Sequence, residues 1–152
     1  MKGYIALANN DWCEYQIKNK RSMAVFWRKR LTFKAIDIGE PFFFLNRKRI
    51  NNTRHVVGYG FLQSVSKINV NDAWDKFGGL LGSFSKQEFR KAIEDCYYSS
   101  SIDIGCIVLQ NVTFTINPVS LESCNIVFSE STVSGKTITE EECKILLDKL
   151  NR

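Results

Sequence analysis

Gly39-Glu40-Pro41-Phe42-Phe43-Phe44-Leu45 and, past a polar stretch, His55-Val56-Val57-Gly58-Tyr59-Gly60-Phe61 are the segments from which the rest of the chain is read. Gly39-Glu40-Pro41 is a turn, and the aromatic run that follows is short enough to be one buried strand. Asn46–Arg54 is polar and basic and carries Asn51-Asn52-Thr53 near its end, so it reads as an exposed loop. His55–Ser66 returns as a second strand. Two glycines inside it, Gly58 and Gly60, mark a bulge or a place where another backbone or a ligand comes close.

Outward from this pair, Gly3–Ala8 is a short apolar strand. Asn9-Asn10-Asp11 supplies capping side chains for a helix over 10–19, in which Trp12 and Tyr15 recur at helical spacing. Met23–Trp27 is apolar but brief. Asn71–Phe77 forms a short helix ending at Gly78-Gly79. Ser85-Lys86-Gln87-Glu88 has the form of a capping box, with Phe84 and Phe89 placed as a hydrophobic staple. Phe89, Ala92, Ile93, Cys96 and Tyr97 then make one apolar, core-facing stripe. Strands are expected at Ile104–Leu109, Val112–Ile116 and Ile126–Phe128. Thr139-Glu140-Glu141-Glu142 is a second capping box, opening a C-terminal helix with Cys143, Leu146, Leu147 and Leu150 on its apolar side. This order suits one α+β domain over 1–152, a small curved, mostly antiparallel barrel with flanking helices.

Composition narrows the function. No apolar run approaches the ~20 residues that cross a bilayer, and Asn9, Asn10, Asp11 and Glu14 interrupt any signal-peptide core, so a cytoplasmic protein without a membrane partner is expected. The five cysteines are widely spaced with no C-x-x-C pair and read as reduced, buried thiols. One histidine, His55, leaves no Cys/His zinc pattern and at most a single imidazole base. Gly78-Gly79-Leu80-Leu81-Gly82 lacks the Lys and Ser/Thr of a phosphate loop. No catalytic residue, metal ligand or cofactor site is therefore expected, and the chain is read as a non-enzyme.

Charge points to a partner. Lys18–Arg54 holds eleven basic residues against Asp37 and Glu40, a net +9, while the rest of the chain nets −4. Such a face attracts polyphosphate, because each neutralised phosphate releases condensed counterions. The candidate phosphate-binding residues are Arg28, Lys29, Arg30, Arg47, Lys48, Arg49 and Arg54. Aromatic residues interleave with this segment or flank it: Phe26 and Trp27 abut the first basic run, Tyr59 sits between two glycines, and Trp12 and Trp74 lie on helices. An exposed ring beside a basic strip can stack on an unpaired base.

The pieces Gly39–Leu45, Val56–Phe61, Ala73-Trp74-Asp75-Lys76-Phe77-Gly78 and Ile104–Leu109 resemble, in this order, the N-terminal domain of a group of HNH-type restriction endonucleases. Gly3–Trp12, Val25-Phe26-Trp27, Asn125-Ile126-Val127 and Ser134-Gly135-Lys136-Thr137 extend the likeness over nearly the whole chain. That domain is similar to the EVE, YTH and ASCH domains of the PUA-like superfamily. The resemblance implies a reader that extrudes a modified base into an aromatic cage and holds the backbone with basic residues, feeding a nuclease that cuts modified DNA. Phe26 or Trp27 then falls at the first cage position and Tyr59 beside the pocket strand. Trp12 and Trp74 match positions where a binding role and packing are not separable. Two departures stand out: Val25 replaces an asparagine of the usual Asn-Phe-Trp, and seven residues separate Val127 from Gly135 where the relatives are shorter. The histidines of an HNH centre are missing, so a nuclease domain or partner is expected elsewhere. An RNA-binding PUA-like module and a protein-interaction domain with a basic face are the competing readings.

Overall fold

Phe42, Phe43 and Phe44 are all fully buried in a central strand, β3 (Pro41–Asn46), whose proline stands at the first strand position, where a missing N–H is tolerated. The structure is a computed structural model and describes residues 1–99, 101–129, 132 and 134–152. On one side of β3 lies β1 (Gly3–Ala8), parallel to it, with Tyr4 opposite Phe42 and Ala6 opposite Phe44. On the other lies β4 (His55–Asn69), antiparallel, with Tyr59 opposite Phe43 and Gly58 opposite Phe44. β5 (Asp103–Ser120) pairs with β4, β2 (Ala24–Arg28) with β5, and β6 (Gly135–Ile138) with β1. The result is one six-stranded sheet in the order β2-β5-β4-β3-β1-β6.

Strand alternation sorts the side chains. Tyr4, Ala6, Phe42, Phe44, Ala24 and Phe26 share the inner face, and α1 (Asn10–Asn19) plugs that face with Trp12. Ile5, Leu7, Phe43 and Leu45 point the other way, under α4 (Glu140–Leu150) with its buried Cys143, Leu146 and Leu150. Val25, Cys106 and Val108 are covered by α2 (Val70–Phe77) and α3 (Lys86–Tyr97). Each fully buried Phe, Leu or Ile contributes about 1.5–3 kcal/mol, so the three apolar clusters carry the stability of the fold.

Of the capping signals, Asn9 accepts from the Asp11 N–H, and Thr139 and Glu142 complete a reciprocal box at α4. Ser85 caps the Glu88 N–H, but the Glu88 carboxylate reaches the N–H of Phe84 instead of closing the box on Ser85. The staple is not made either. Phe89 is fully buried in the core, whereas Phe84 is 64% exposed and rests edge-on against Tyr15 at 4.7 Å.

Four further expectations are corrected. Ile104–Leu109 and Val112–Ile116 are one strand, because Asn111 takes a left-handed conformation (φ 50) that inserts a bulge without ending the pairing. Ile126–Phe128 is not a strand: the Ile126 N–H turns back to the Leu121 carbonyl, and alternate burial of Ile126 and Val127 only imitates strand periodicity. The strand lies instead at Gly135–Ile138 on β1. Cys96, placed on the core stripe, is exposed, while the other four thiols are buried as expected.

The fourth concerns the barrel. The ladder does not close, since β2 and β6 are its two ends. Yet β2 and β3, two strands apart in the ladder, touch through Phe26 and Phe42, ring centroids 5.2 Å apart. The Trp12 indole N–H donates to the Val25 carbonyl at 3.1 Å, and Arg28 at the end of β2 sits over Phe33, whose ring packs edge-on against Tyr4 of β1 at 4.9 Å. The sheet therefore curls until β2 faces β3 and β1 across a seam closed by side chains rather than by a hydrogen-bond ladder. Bulges supply the curl: the β4–β5 register shifts at Val56/Gly58, Tyr59/Phe61 and Leu62/Ser64. Gly58 is needed at the first of these, where a Cβ would lie 2.6 Å from both the Thr113 carbonyl and the Phe114 ring.

Candidate nucleic-acid interface

The five candidate aromatics do not line one hollow. Phe26 and Trp12 meet on the inner face, centroids 5.5 Å apart. Trp27, the next residue on β2, points to the opposite side, where its indole N–H donates to the Leu81 carbonyl at 3.1 Å and its ring packs edge-on against Phe89 and Tyr97. Trp74 stacks on the same Phe89 at 6.0 Å. Tyr59 is buried under α4, its hydroxyl donating to Asn151 Oδ1 at 2.8 Å. The space its flanking glycines open is filled by β5, not left for a ligand. Strand alternation separates Phe26 from Trp27, and the curl of β4 carries Tyr59 away from both.

Phe26 keeps an exposed share. It is half-buried at the seam, beside the buried rings of Tyr4, Trp12, Phe33, Phe42 and Phe44; Phe114, on β5, is the cluster's other half-buried ring on this face and packs on Phe44. Arg28 lies on the same face two residues on. Its guanidinium sits 4.9 Å from the Phe33 ring centroid and donates to the Thr32 carbonyl at 2.5 Å. Burial pulls its pKa below the usual arginine value, while Tyr4 acts in the opposite sense and Arg30 adds to the lowering. Its Nε is buried with no hydrogen-bond partner among the described residues.

The first basic run meets the C-terminal end of α3, and Arg47 of the second acts on it electrostatically. The Lys29 N–H donates to the Tyr97 hydroxyl at 3.1 Å, and the Lys29 ammonium lies 5.9 Å from the same ring. Burial raises the Tyr97 hydroxyl above its ordinary pKa, and Lys29 N–H, Arg47 and Arg28 all act to lower it. Lys29 thus lies directly against the phenol, with Arg28 and Arg47 near enough to act on it electrostatically. Arg47 is set there by β3, since its N–H donates to the Ala8 carbonyl where the parallel strands end together. Lys48, Arg49 and Arg30 are exposed, and Arg54 is half-buried at the foot of β4. The 47–54 loop is tightened by the Ile50–Thr53 bridge, with Asn51 and Asn52 both left-handed. Tyr4, Phe33 and Tyr97 were not among the sequence candidates. Phe33 could have been found from its place amid Arg28–Lys34, whereas Tyr97 was hidden in an apolar helix pattern.

No described protein family and no curated protein matches the chain. Solved structures do. The ASCH protein of Zymomonas mobilis superposes with a TM-score of 0.70 at 16% identity, covering 96% of this chain and 94% of that one. The N-terminal domain of Staphylothermus marinus McrB gives 0.65 at 11% identity, covering 97% and 93%. The chain shares the fold of these two proteins over nearly its whole length. Human THYN1, solved in complex with 5-methylcytosine-containing DNA, gives 0.54 at 11% identity, covering 100% and 99%. In this chain the plan, among the described residues, is an open, curled mixed sheet with four α-helices rather than a closed barrel. Among the described residues no helix is long and apolar enough to cross a membrane.

Proposed function

We propose that this chain is a nucleic-acid-binding module that reads a modified, extruded base in DNA and serves as the specificity element of a modification-dependent restriction system. The carrying observation is Lys29 seated on Tyr97, with Arg28 and Arg47 within electrostatic reach of the same phenol, beside a seam in which Phe26 is half-buried. Likeness in fold to a protein solved on methylated DNA, and to the McrB N-terminal domain, supports the same reading. The cations gather the phosphate backbone without reading sequence, and the ring takes the base. Extruding a base costs a few kcal/mol, and stacking returns about 1–3 kcal/mol, so one ring roughly balances extrusion and the base's polar edge decides selectivity. Cleavage belongs to a separate domain or partner, an HNH nuclease being the kind the sequence resemblance implies, in the cytoplasm where foreign DNA is met.

The test is a titration of short duplexes carrying cytosine, 5-methylcytosine, hydroxymethylcytosine or a glucosylated base, with single-stranded RNA as competitor. Wild type prefers one modified duplex over its unmodified twin, and RNA competes poorly. Phe26→Ala abolishes that preference while weak, salt-dependent binding persists. RNA winning the competition, or a full preference surviving in Phe26→Ala, would overturn the proposal.

A further inference from the structure

Tyr98 is 94% exposed, yet its backbone is held at φ 62 and ψ 14, the left-handed conformation that caps α3. Its N–H closes the helix on the Glu94 carbonyl at 2.7 Å. Glycine or asparagine normally takes this position, because a Cβ there is strained. Here a tyrosine bears the strain and gains no burial from it, so neither packing nor backbone preference accounts for the residue. Strain kept without structural return is found at ligand sites.

The neighbourhood says which ligand. Tyr97, one residue earlier, carries Lys29 on both its hydroxyl and its ring, and Arg28 and Arg47 act on it electrostatically. The last turn of α3 carries no basic residue, so that charge is brought in by β2 and the β3–β4 loop. Tyr98 therefore stands at the rim of a cationic cluster with its ring in solvent. We infer that Tyr98 is a stacking platform for an unpaired nucleobase adjoining the one taken at the seam, an inference that rests on the nucleic-acid reading above. A tyrosine has few rotatable bonds, and the left-handed cap fixes the backbone that bears it, so little freedom is lost when a base settles on the ring. Stacking of this kind is indifferent to base identity, since every base presents a π face.

The experiment uses Tyr98→Gly and Tyr98→Phe with a single-stranded oligodeoxynucleotide and with a 5-methylcytosine duplex carrying 2-aminopurine beside the modified base. Glycine suits the left-handed cap, so the variant melts at the wild-type temperature or about 2–4 °C higher. Lost affinity in it is then not lost folding. Tyr98→Gly weakens binding roughly five- to a hundredfold and leaves 2-aminopurine fluorescence unquenched, while Tyr98→Phe binds within about twofold of wild type. If Tyr98→Gly binds and quenches like wild type, the stacking role is wrong and the reader proposal stands. If the wild type binds neither probe, both fall together.

Discussion

Replacing Gly105 by alanine tests whether the basic run is seated on the sheet as described. Gly105 pairs with Arg28 across β5 and β2, and a Cβ built on it would fall on the Arg30 carbonyl oxygen, 3.3 Å from the Leu31 Cα. Both obstacles are backbone, so no change of rotamer relieves them. Overpacking costs about 1–3 kcal/mol, and an immovable neighbour argues for the upper half of that range, ~2–3 kcal/mol. For a chain of this length that corresponds to a melting temperature lower by roughly 4–12 °C. The cheapest relief is to lift residues 29–31 off β5. That movement breaks the Lys29 N–H bond to Tyr97 and withdraws Lys29 and Arg30 from the cluster, reducing the log–log salt slope of DNA binding by about 1–2. Gly39→Ala is the control, because Gly39, unlike Gly105, is left-handed (φ 89) and has nothing within 4 Å of its would-be Cβ. It loses about 1–2 kcal/mol of stability through strain alone and keeps its salt slope. Thermal melts and fluorescence anisotropy at several salt concentrations read both quantities. A Gly105→Ala protein with wild-type melting and an unchanged slope would refute the seating of Arg30 on β5.

Three further outcomes follow from the packing. Trp27→Ala loses about 3–5 kcal/mol through the cavity under α3, measured by urea unfolding, and its modified-base preference persists in whatever fraction stays folded; selective loss of preference with intact stability would restore Trp27 as a cage residue. Tyr59→Phe removes the bond to Asn151 and costs about 1 kcal/mol with DNA affinity unchanged, which a paired melt and titration checks. Burial pushes the Cys13 and Cys106 thiols up to about 12 from an ordinary value of 9.0, so above pH 9 the native chain holds protons the unfolded chain has shed, and stability falls as pH rises. The urea midpoint drops between pH 8 and pH 10 by less in Cys13→Ala than in wild type; equal drops would contradict the burial.

What was legible in the sequence was local. Thr139-x-x-Glu142 wrote its own helix start, and Phe42–Leu45 declared a buried strand through size and shape alone. Gly58 and Gly60 announced a close approach, though not whose backbone would make it. Illegible were the features decided by partners far along the chain. Phe84 looked like a staple because its spacing to Phe89 was right, but Tyr15, nearly seventy residues earlier, holds its ring outside. Trp27 and Phe26 are adjacent letters with equal claims to a pocket, and only the register of β2 against β5 assigns one to each face. Tyr97 obeyed helical periodicity, and its contact with Lys29, within electrostatic reach of Arg47, depends on the curl of the whole sheet.

The open seam ties these observations together. A barrel closed by a ladder would spend its backbone donors and acceptors on the last strand pair, and parting those strands would cost several hydrogen bonds at once. Here the closure is a few side-chain contacts: the Trp12 indole on the Val25 carbonyl, Phe26 on Phe42, and Arg28 over Phe33, whose ring packs on Tyr4. Arg28 contributes to that closure and to the cationic cluster alike, with one guanidinium nitrogen still lacking a hydrogen-bond partner among the described residues. A phosphate arriving at Arg28 therefore acts on a member of the seam itself, so backbone capture and the opening beside Phe26 are mechanically joined. It follows that Arg28→Lys, which keeps the charge but loses the planar fork, retains most of the salt-dependent binding while modified-base preference falls. Equal loss of both would mean that the arginine serves only as a point charge and that the seam does not respond to it.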